Sequence, residues 1–390
     1  MTVLQDDQSS VKASHYNVII IGGGLAGLIC AINLSASYKV LLIEKHTYPF
    51  HKVCGEYISN EVLPYLISLG FDPYAHGAVN INKLRVSTPS GRNFYAPLDL
   101  GGFGISRYTI DNELAKLAAQ KGCEVMTGTR VNDVQFGSDI FIVKTNKDGI
   151  YTAPLVIGSY GKRDALDKRL DRGFINKRTR YMGVKYHVRM DYPVDEIGLD
   201  NFEGGYCGMS KIEGNDYNIC YLYKRQKVNF RSIKELEEKV LYKNPHLKKI
   251  LTEATYVREA PEVINEICFS PKTLVEDHIL MCGDTAGLIT PLCGNGMSMA
   301  IGAAKILSAL ILKTSIEENK PLNKQERAAL ESNYIKQWKQ MYGSRLVWGR
   351  VIQVFFGNKM ITEIFTRSVH AIRPLRNWLI RRTHGRVITN

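Results

Sequence analysis

The chain has 390 residues, 45% hydrophobic and 23% charged, with a formal net charge of +13, an ordinary globular composition long enough for two or three domains. No apolar run approaches the roughly 20 residues of a spanning helix, and the polar, acidic start MTVLQDDQSSVKAS excludes a secretory signal. Eight cysteines without C-x-x-C or zinc spacing argue against a metal site and fit reduced thiols in a cytoplasmic protein.

The first predicted element is a buried strand, Val18–Ile21, running into Gly22, Gly24 and Gly27 in G-x-G-x-x-G register. A helix over Leu25–Leu34 follows, then a second apolar strand, Val40–Ile43, ending in Glu44 and Lys45. The first glycine permits a tight turn, the second lets backbone approach a pyrophosphate, and the third allows close helix–strand packing. The helix start, at Leu25 and Ala26, supplies N–H donors and a favourable dipole, while Glu44 stands where a carboxylate binds ribose hydroxyls. Strand, glycines, helix, strand and acid in that order predict a dinucleotide site.

Further along, 83–98 reads as a hairpin around Pro89-Ser90-Gly91, and 180–225 as several antiparallel strands with turns at Gly204-Gly205 and Gly214-Asn215. Residues 232–253 read as one helix on the outer side of that sheet. The stretch 279–302 is an apolar strand leading to Gly283-Asp284, a loop with Pro291, and a helix opened by Gly294, Gly296 and Met297. An acid at a strand end suits ribityl hydroxyls, and a helix start behind glycines suits negative charge on a reduced flavin, so the dinucleotide is read as FAD. The bland alternative makes Asp284 a helix cap.

The last segment, 316–390, reads as helical, broken by Gly343, Gly349, Gly357 and Pro374. From Lys324 onward it carries 13 lysines and arginines against three acidic residues, and all three tryptophans, Trp338, Trp348 and Trp378. Apolar Ile361, Ile364, Phe365, Ile372, Leu375 and Leu379 interleave with Arg367, Arg373, Arg376, Arg381 and Arg382. Two accounts compete: an amphipathic helix packed on the flavin domain, or contact with the inner membrane surface or an acidic partner. Nucleic acid is not expected, because no recognition motif accompanies the charge.

In this order the motifs resemble FAD-dependent oxidoreductases of the aromatic-hydroxylase fold, especially the geranylgeranyl reductase and flavin-dependent halogenase branches, over about residues 16–310. The resemblance implies an α/β chain with α+β elements. A glutathione-reductase-type Rossmann FAD domain is expected from 15–82, 102–170 and 272–315. An antiparallel β-sheet substrate domain is expected from 83–101 and 171–271, and a helical C-terminus from 316–390. HKVCGEYISNEVLPYLISLG at 51–70 is similar to the segment those families place beside the flavin ring, which implicates Cys54 and Gly55. Arg107 maps onto their FAD-contacting arginine, and Val131 onto the strand whose backbone meets adenine. Two departures stand out. Ser159-Tyr160-Gly161 replaces an Ala-Asp-Gly motif, and Gly208 stands where the reductase motif Y-x-W-x-F-P has tryptophan, although Tyr206 matches its tyrosine.

No second G-x-G-x-x-G follows a strand, so electrons are expected from NAD(P)H or another donor bound transiently. A reduced flavin facing one closed pocket then has two outlets. Its N5 hydride goes to a double bond of an apolar or carrier-bound substrate, or its C4a atom captures oxygen for monooxygenation of an aromatic or polyene substrate. The absent W-x-W-x-I-P motif argues against halogenation. Proton-transfer candidates are Cys54, His51, Glu56 and Tyr206, with packing as the competing role for Cys54 and Tyr206. His76, His187, His246 and His278 have no partner pattern and read as structural or exposed. A reading of another class is a membrane-surface electron carrier without substrate chemistry of its own.

Overall fold

The computed structural model describes residues 13–177, 179–225, 230–289, 294–318, 320–354, 362–363, 385 and 387–389. Among them, Val18–Ile21 lies between Leu155–Gly158 and Val40–Ile43 in a parallel sheet continued by Ile279–Met281 on one side and Glu124–Met126 on the other. The first three of these strands are buried along their whole length, which is why they read as unbroken apolar runs rather than alternating ones. Helix Leu25–Leu34 packs beside helix Gly296–Ile311, and helix Arg107–Gln120 packs on its other flank. The two glycine motifs, far apart in the chain, therefore open two adjacent helices at the same end of one sheet.

A second sheet forms a roof. Its order is Thr255–Tyr256, Tyr181–Arg189, Tyr217–Lys224, Gly205–Lys211, Glu196–Phe202, Val79–Ser87, Asn93–Gly104 and Tyr57–Ser59, with Glu262–Ile264 also pairing Tyr181–Arg189. All its pairings are antiparallel except Glu196–Phe202 with Val79–Ser87. The hairpin expected at 83–98 is present, but its strands run on through Val79–Ser87 and Asn93–Gly104. Alternation divides the sheet chemically. Val184, Val188, Ile219 and Tyr223 point to one face and pack with Leu236, Leu241, Leu247, Ile250 and Leu251. Their neighbours Gly183, Lys185, His187, Asn218, Cys220, Leu222, Tyr206 and Gly208 fall on the other face by register.

Two expectations are corrected. The helix read at 232–253 is two, Ile233–Lys239 and Pro245–Glu253, separated by a 3-10 turn at Leu241–Lys243. Pro245 cannot continue a helix but starts one well, and Asn244 caps it, its Oδ1 accepting from His246 N at 2.9 Å. The buried Asn244 amide also donates to Ser87 Oγ (2.9 Å) and Asn201 O (3.0 Å), riveting the helix pair to the sheet. Second, Lys324–Val354 is one helix running through Gly343 and Gly349. A glycine inside a helix costs about 1 kcal/mol relative to alanine. Leu330, Tyr334, Trp338 and Tyr342 outweigh that by packing into the Rossmann core, and Tyr334 Oη donates to Met281 O at 2.6 Å. Gly357, Pro374, Trp378 and the arginine-interleaved stretch from 364 to 382 lie outside the described residues.

Candidate active site

A cavity of about 860 Å³ lies between the glycine ends of the Rossmann strands and the inner face of the roof. Gly22, Gly24, Leu25, Ala26, Glu44, Lys45, Cys54, Gly55, Arg107, Val131, Gly283, Asp284, Gly294, Gly296 and Met297 all border it. Gly27 does not; a Cβ there would collide with Gly22 O, so its part is the close helix–strand packing. Gly22 has φ +102°, and a Cβ would stand 2.5 Å from Ser159 O. This turn admits glycine alone.

The walls suit FAD. The Glu44 carboxylate, 5% exposed, accepts from Gly23 N (2.7 Å) and His46 N (3.0 Å) at the cavity edge, fixed for ribose hydroxyls. Arg107 is held by Asp111 through Nε (2.8 Å) and Nη2 (2.7 Å), and its guanidinium reaches the open side of Gly24. Lys52 Nζ donates to Oδ2 of the same carboxylate at 2.8 Å, sharing that oxygen with Arg107 Nη2. Burial pushes the Asp111 carboxyl up, but Arg107 and Lys52 outweigh it and keep it below its ordinary range. Burial likewise opposes charge on Arg107, and Asp111, with the Cys54 sulfur as a smaller contributor, more than restores it. Positive charge is thus fixed beside the dinucleotide cradle.

Lys272 was not singled out by any sequence motif. Its Nζ donates to Asp284 O (2.8 Å) and Lys162 O (2.9 Å), tying the second glycine loop to the loop after Leu155–Gly158. Burial lowers this ammonium to about 8. Serine in place of alanine at 159 has its own use here: Ser159 Oγ donates to Gly22 O at 2.7 Å, locking the first turn.

Of the four proton-transfer candidates, Cys54, His51 and Tyr206 border the cavity. His51 stacks on Tyr108 (4.7 Å between centroids) and is lowered to about 4 by burial and then by Lys185 and His187, so it is neutral near pH 7. Glu56 is corrected: it lies behind the wall, fully buried, and is not a cavity group. Its carboxylate accepts from Lys185 Nζ (2.5 Å) and Arg107 N (2.8 Å) and pairs with His187 Nε2 (2.6 Å). Burial would raise this carboxyl, but Lys185 and His187 overcome that and hold it below its usual range. A carboxylate so tightly bound is a poor proton donor. Cys220, missed from the sequence, also borders the cavity, its thiol pushed up to about 12 by burial and then by Cys54.

The roof side of the lining is mainly aliphatic, with Leu84, Ile197, Leu199, Leu222, Ile264 and Ile267, and also carries the Arg258–Glu262 pair. Gly208 lies among them, and a Cβ there would meet only Cys220 O, at 3.8 Å. The residue that replaces tryptophan therefore leaves open space over the cavity.

The profile of the family described as "FAD binding domain" matches residues 15–315. Conditioned medium factor receptor 1 of Dictyostelium discoideum is 22% identical over 349 residues, covering 78% of this chain and 65% of that protein, just under two thirds of its length. The digeranylgeranylglycerophospholipid reductase of Methanoculleus marisnigri is 25% identical over 320 residues, 77% of each chain. Among solved structures, the flavin-dependent brominase Bmp2 shares the fold with a TM-score of 0.73 at 18% identity, covering 95% of this chain and 93% of that one.

Proposed function

Given that the chain belongs to the FAD binding domain family and is an FAD-dependent oxidoreductase, we propose that it reduces a carbon–carbon double bond of an apolar or carrier-bound substrate. Bound FAD supplies the hydride. Gly22, Gly24, Glu44 and Arg107, with Gly283, Asp284 and Gly296, border the cavity and would hold FAD. NAD(P)H or another electron donor docks transiently, since the sequence has a single dinucleotide fingerprint.

The observation that carries this reading is the Cys54 thiol in the wall of a cavity whose roof-side lining is mainly aliphatic. Aliphatic walls exclude water and accept a hydrocarbon substrate; the thiol gives its proton to the carbon that the hydride does not reach. Tyr206, buried in the roof and bordering the same cavity, orients the substrate by packing. His51 is neutral and carries no proton to spare at neutral pH, so we assign it to shaping the mouth with Tyr108.

Under anaerobic conditions, an apolar alkene should reoxidise the pre-reduced protein, and mass spectrometry should find the saturated product. An alkene that reacts only when oxygen is present, gaining an oxygen atom, would reject reduction in favour of monooxygenation. Cys54→Ser should slow single-turnover reduction by about 100-fold without altering FAD content. An unchanged rate removes the thiol from the role.

A further inference from the structure

Residues 52–55 form the cavity wall that bears Cys54. Each of these four consecutive peptide carbonyls accepts a hydrogen bond from a side chain far away in sequence. Lys185 Nζ donates to Lys52 O (3.2 Å), Lys162 Nζ to Val53 O (3.2 Å), and Asn218 Nδ2 to Cys54 O (3.2 Å) and Gly55 O (2.9 Å). The next residue, Glu56, has φ +52°, a left-handed conformation that a non-glycine residue keeps only where its surroundings over-determine it. The surroundings do: its carboxylate binds Lys185, His187 and Arg107 N at once. Lys185, His187 and Asn218 all belong to the inner face of the roof, on neighbouring strands paired Lys185↔Cys220 and His187↔Asn218.

Ordinary domain packing does not require four successive carbonyls of one loop to be met by side chains. The geometry points to Lys185 and Asn218 on the roof, anchored on Glu56, as positioning residues that hold the 52–55 wall, and so the Cys54 thiol, in place, with Lys162 adding one bond from the Rossmann side. In this arrangement the substrate sheet sets the placement of the group beside the cofactor. The role of Cys54 as proton donor belongs to the reading above; the clamp itself does not depend on it.

The test is the rate at which Cys54 is alkylated by iodoacetamide, followed by peptide mass spectrometry in the FAD-loaded protein, together with the visible absorption bands of the bound flavin. Lys185→Met and Asn218→Leu should speed alkylation by about tenfold or more, because a released loop opens locally, and should shift the flavin bands. Asn218→Leu removes no charge and keeps the side-chain volume, so it serves where Lys185→Met does not fold. Arg85→Met is the control. It breaks a second buried ion cluster of the same sheet, in which Arg85 binds Asp200 (2.7 and 2.9 Å) and Glu196 (3.2 Å), none of them bordering the cavity. It should lower the melting temperature while leaving Cys54 alkylation and the flavin bands unchanged. Unchanged alkylation and spectrum in both clamp variants overturn the proposal, as does an equal change in Arg85→Met. Faster alkylation alongside a normal Cys54→Ser turnover upholds the clamp and rejects only the thiol's chemical role.

Discussion

Where strands Tyr181–Arg189 and Tyr217–Lys224 pair, the two faces of the roof sheet are made by alternating residues, yet they solve opposite problems. On the outer face, Val184, Val188, Ile219 and Tyr223 meet helices and bury hydrocarbon. On the inner face, one residue along each strand, Lys185, His187 and Asn218 bury charge and amide groups. The contrast is clearest in two buried carboxylates. Glu237, beneath the outer face, accepts from the Tyr186 and Tyr221 hydroxyls, both at 2.8 Å, and burial pushes its carboxyl up despite them. Glu56, beneath the inner face, has the Lys185 ammonium and the His187 ring for partners and is held low. Two neutral hydroxyls do not compensate the desolvation of a charge, whereas an ammonium at contact distance does.

The largest effect should come from Glu56→Gln, which strands the Lys185 charge and should cost about 3–5 kcal/mol at pH 7 by urea unfolding. The sign of its pH dependence follows from the depressed carboxyl. Its stabilisation is complete above the ordinary value of 4.5 and is lost as pH falls through the lower folded value, so wild type and variant should converge in acid. A gap that persists unchanged well below that range would mean the carboxylate's charge is not what matters. Leu247→Ala, on the helix covering the outer face, should cost about 2–5 kcal/mol while the FAD content of the folded protein stays the same. Loss of flavin in step with stability would dissolve the division between the faces.

Gly208→Trp should change stability by less than about 1 kcal/mol, because a Cβ there is unobstructed and the residue borders the cavity. Turnover of bulky substrates should nevertheless fall about tenfold or more, since overfilling a pocket is itself costly; steady-state kinetics on a short and a long alkene would read this. The smallest effect is expected from Glu237→Gln. A raised carboxyl stabilises the fold below 4.5 and loses that contribution as pH rises through its folded value, so at pH 8 the variant should be as stable as wild type or slightly more.

Much of the cofactor side was legible in the residues. The first glycine motif, Glu44 and the Gly283–Met297 run each announce themselves locally, because a phosphate-binding turn is built from residues adjacent in the chain, whereas Arg107 was reached only through the family resemblance. The roof was legible only in outline. Nothing in the sequence pairs Glu56 with Lys185 or Asn218 with Cys54, which are separated by 129 and 164 positions. Glu56 therefore read as an acid beside the flavin, when its chemistry had already been taken up by the strand above it.

By itself, the chain order of apolar runs, glycines and acids determined that a dinucleotide is bound at the ends of a parallel sheet, because that geometry is local to each βα turn. Which side of the roof became a site, which carboxylate was spent on structure, and where glycine left room for a substrate were decided only when strand pairing set the alternation of faces. A shift of one residue in the register of Tyr181–Arg189 against Tyr217–Lys224 would have exchanged hydrocarbon for charge at that pair.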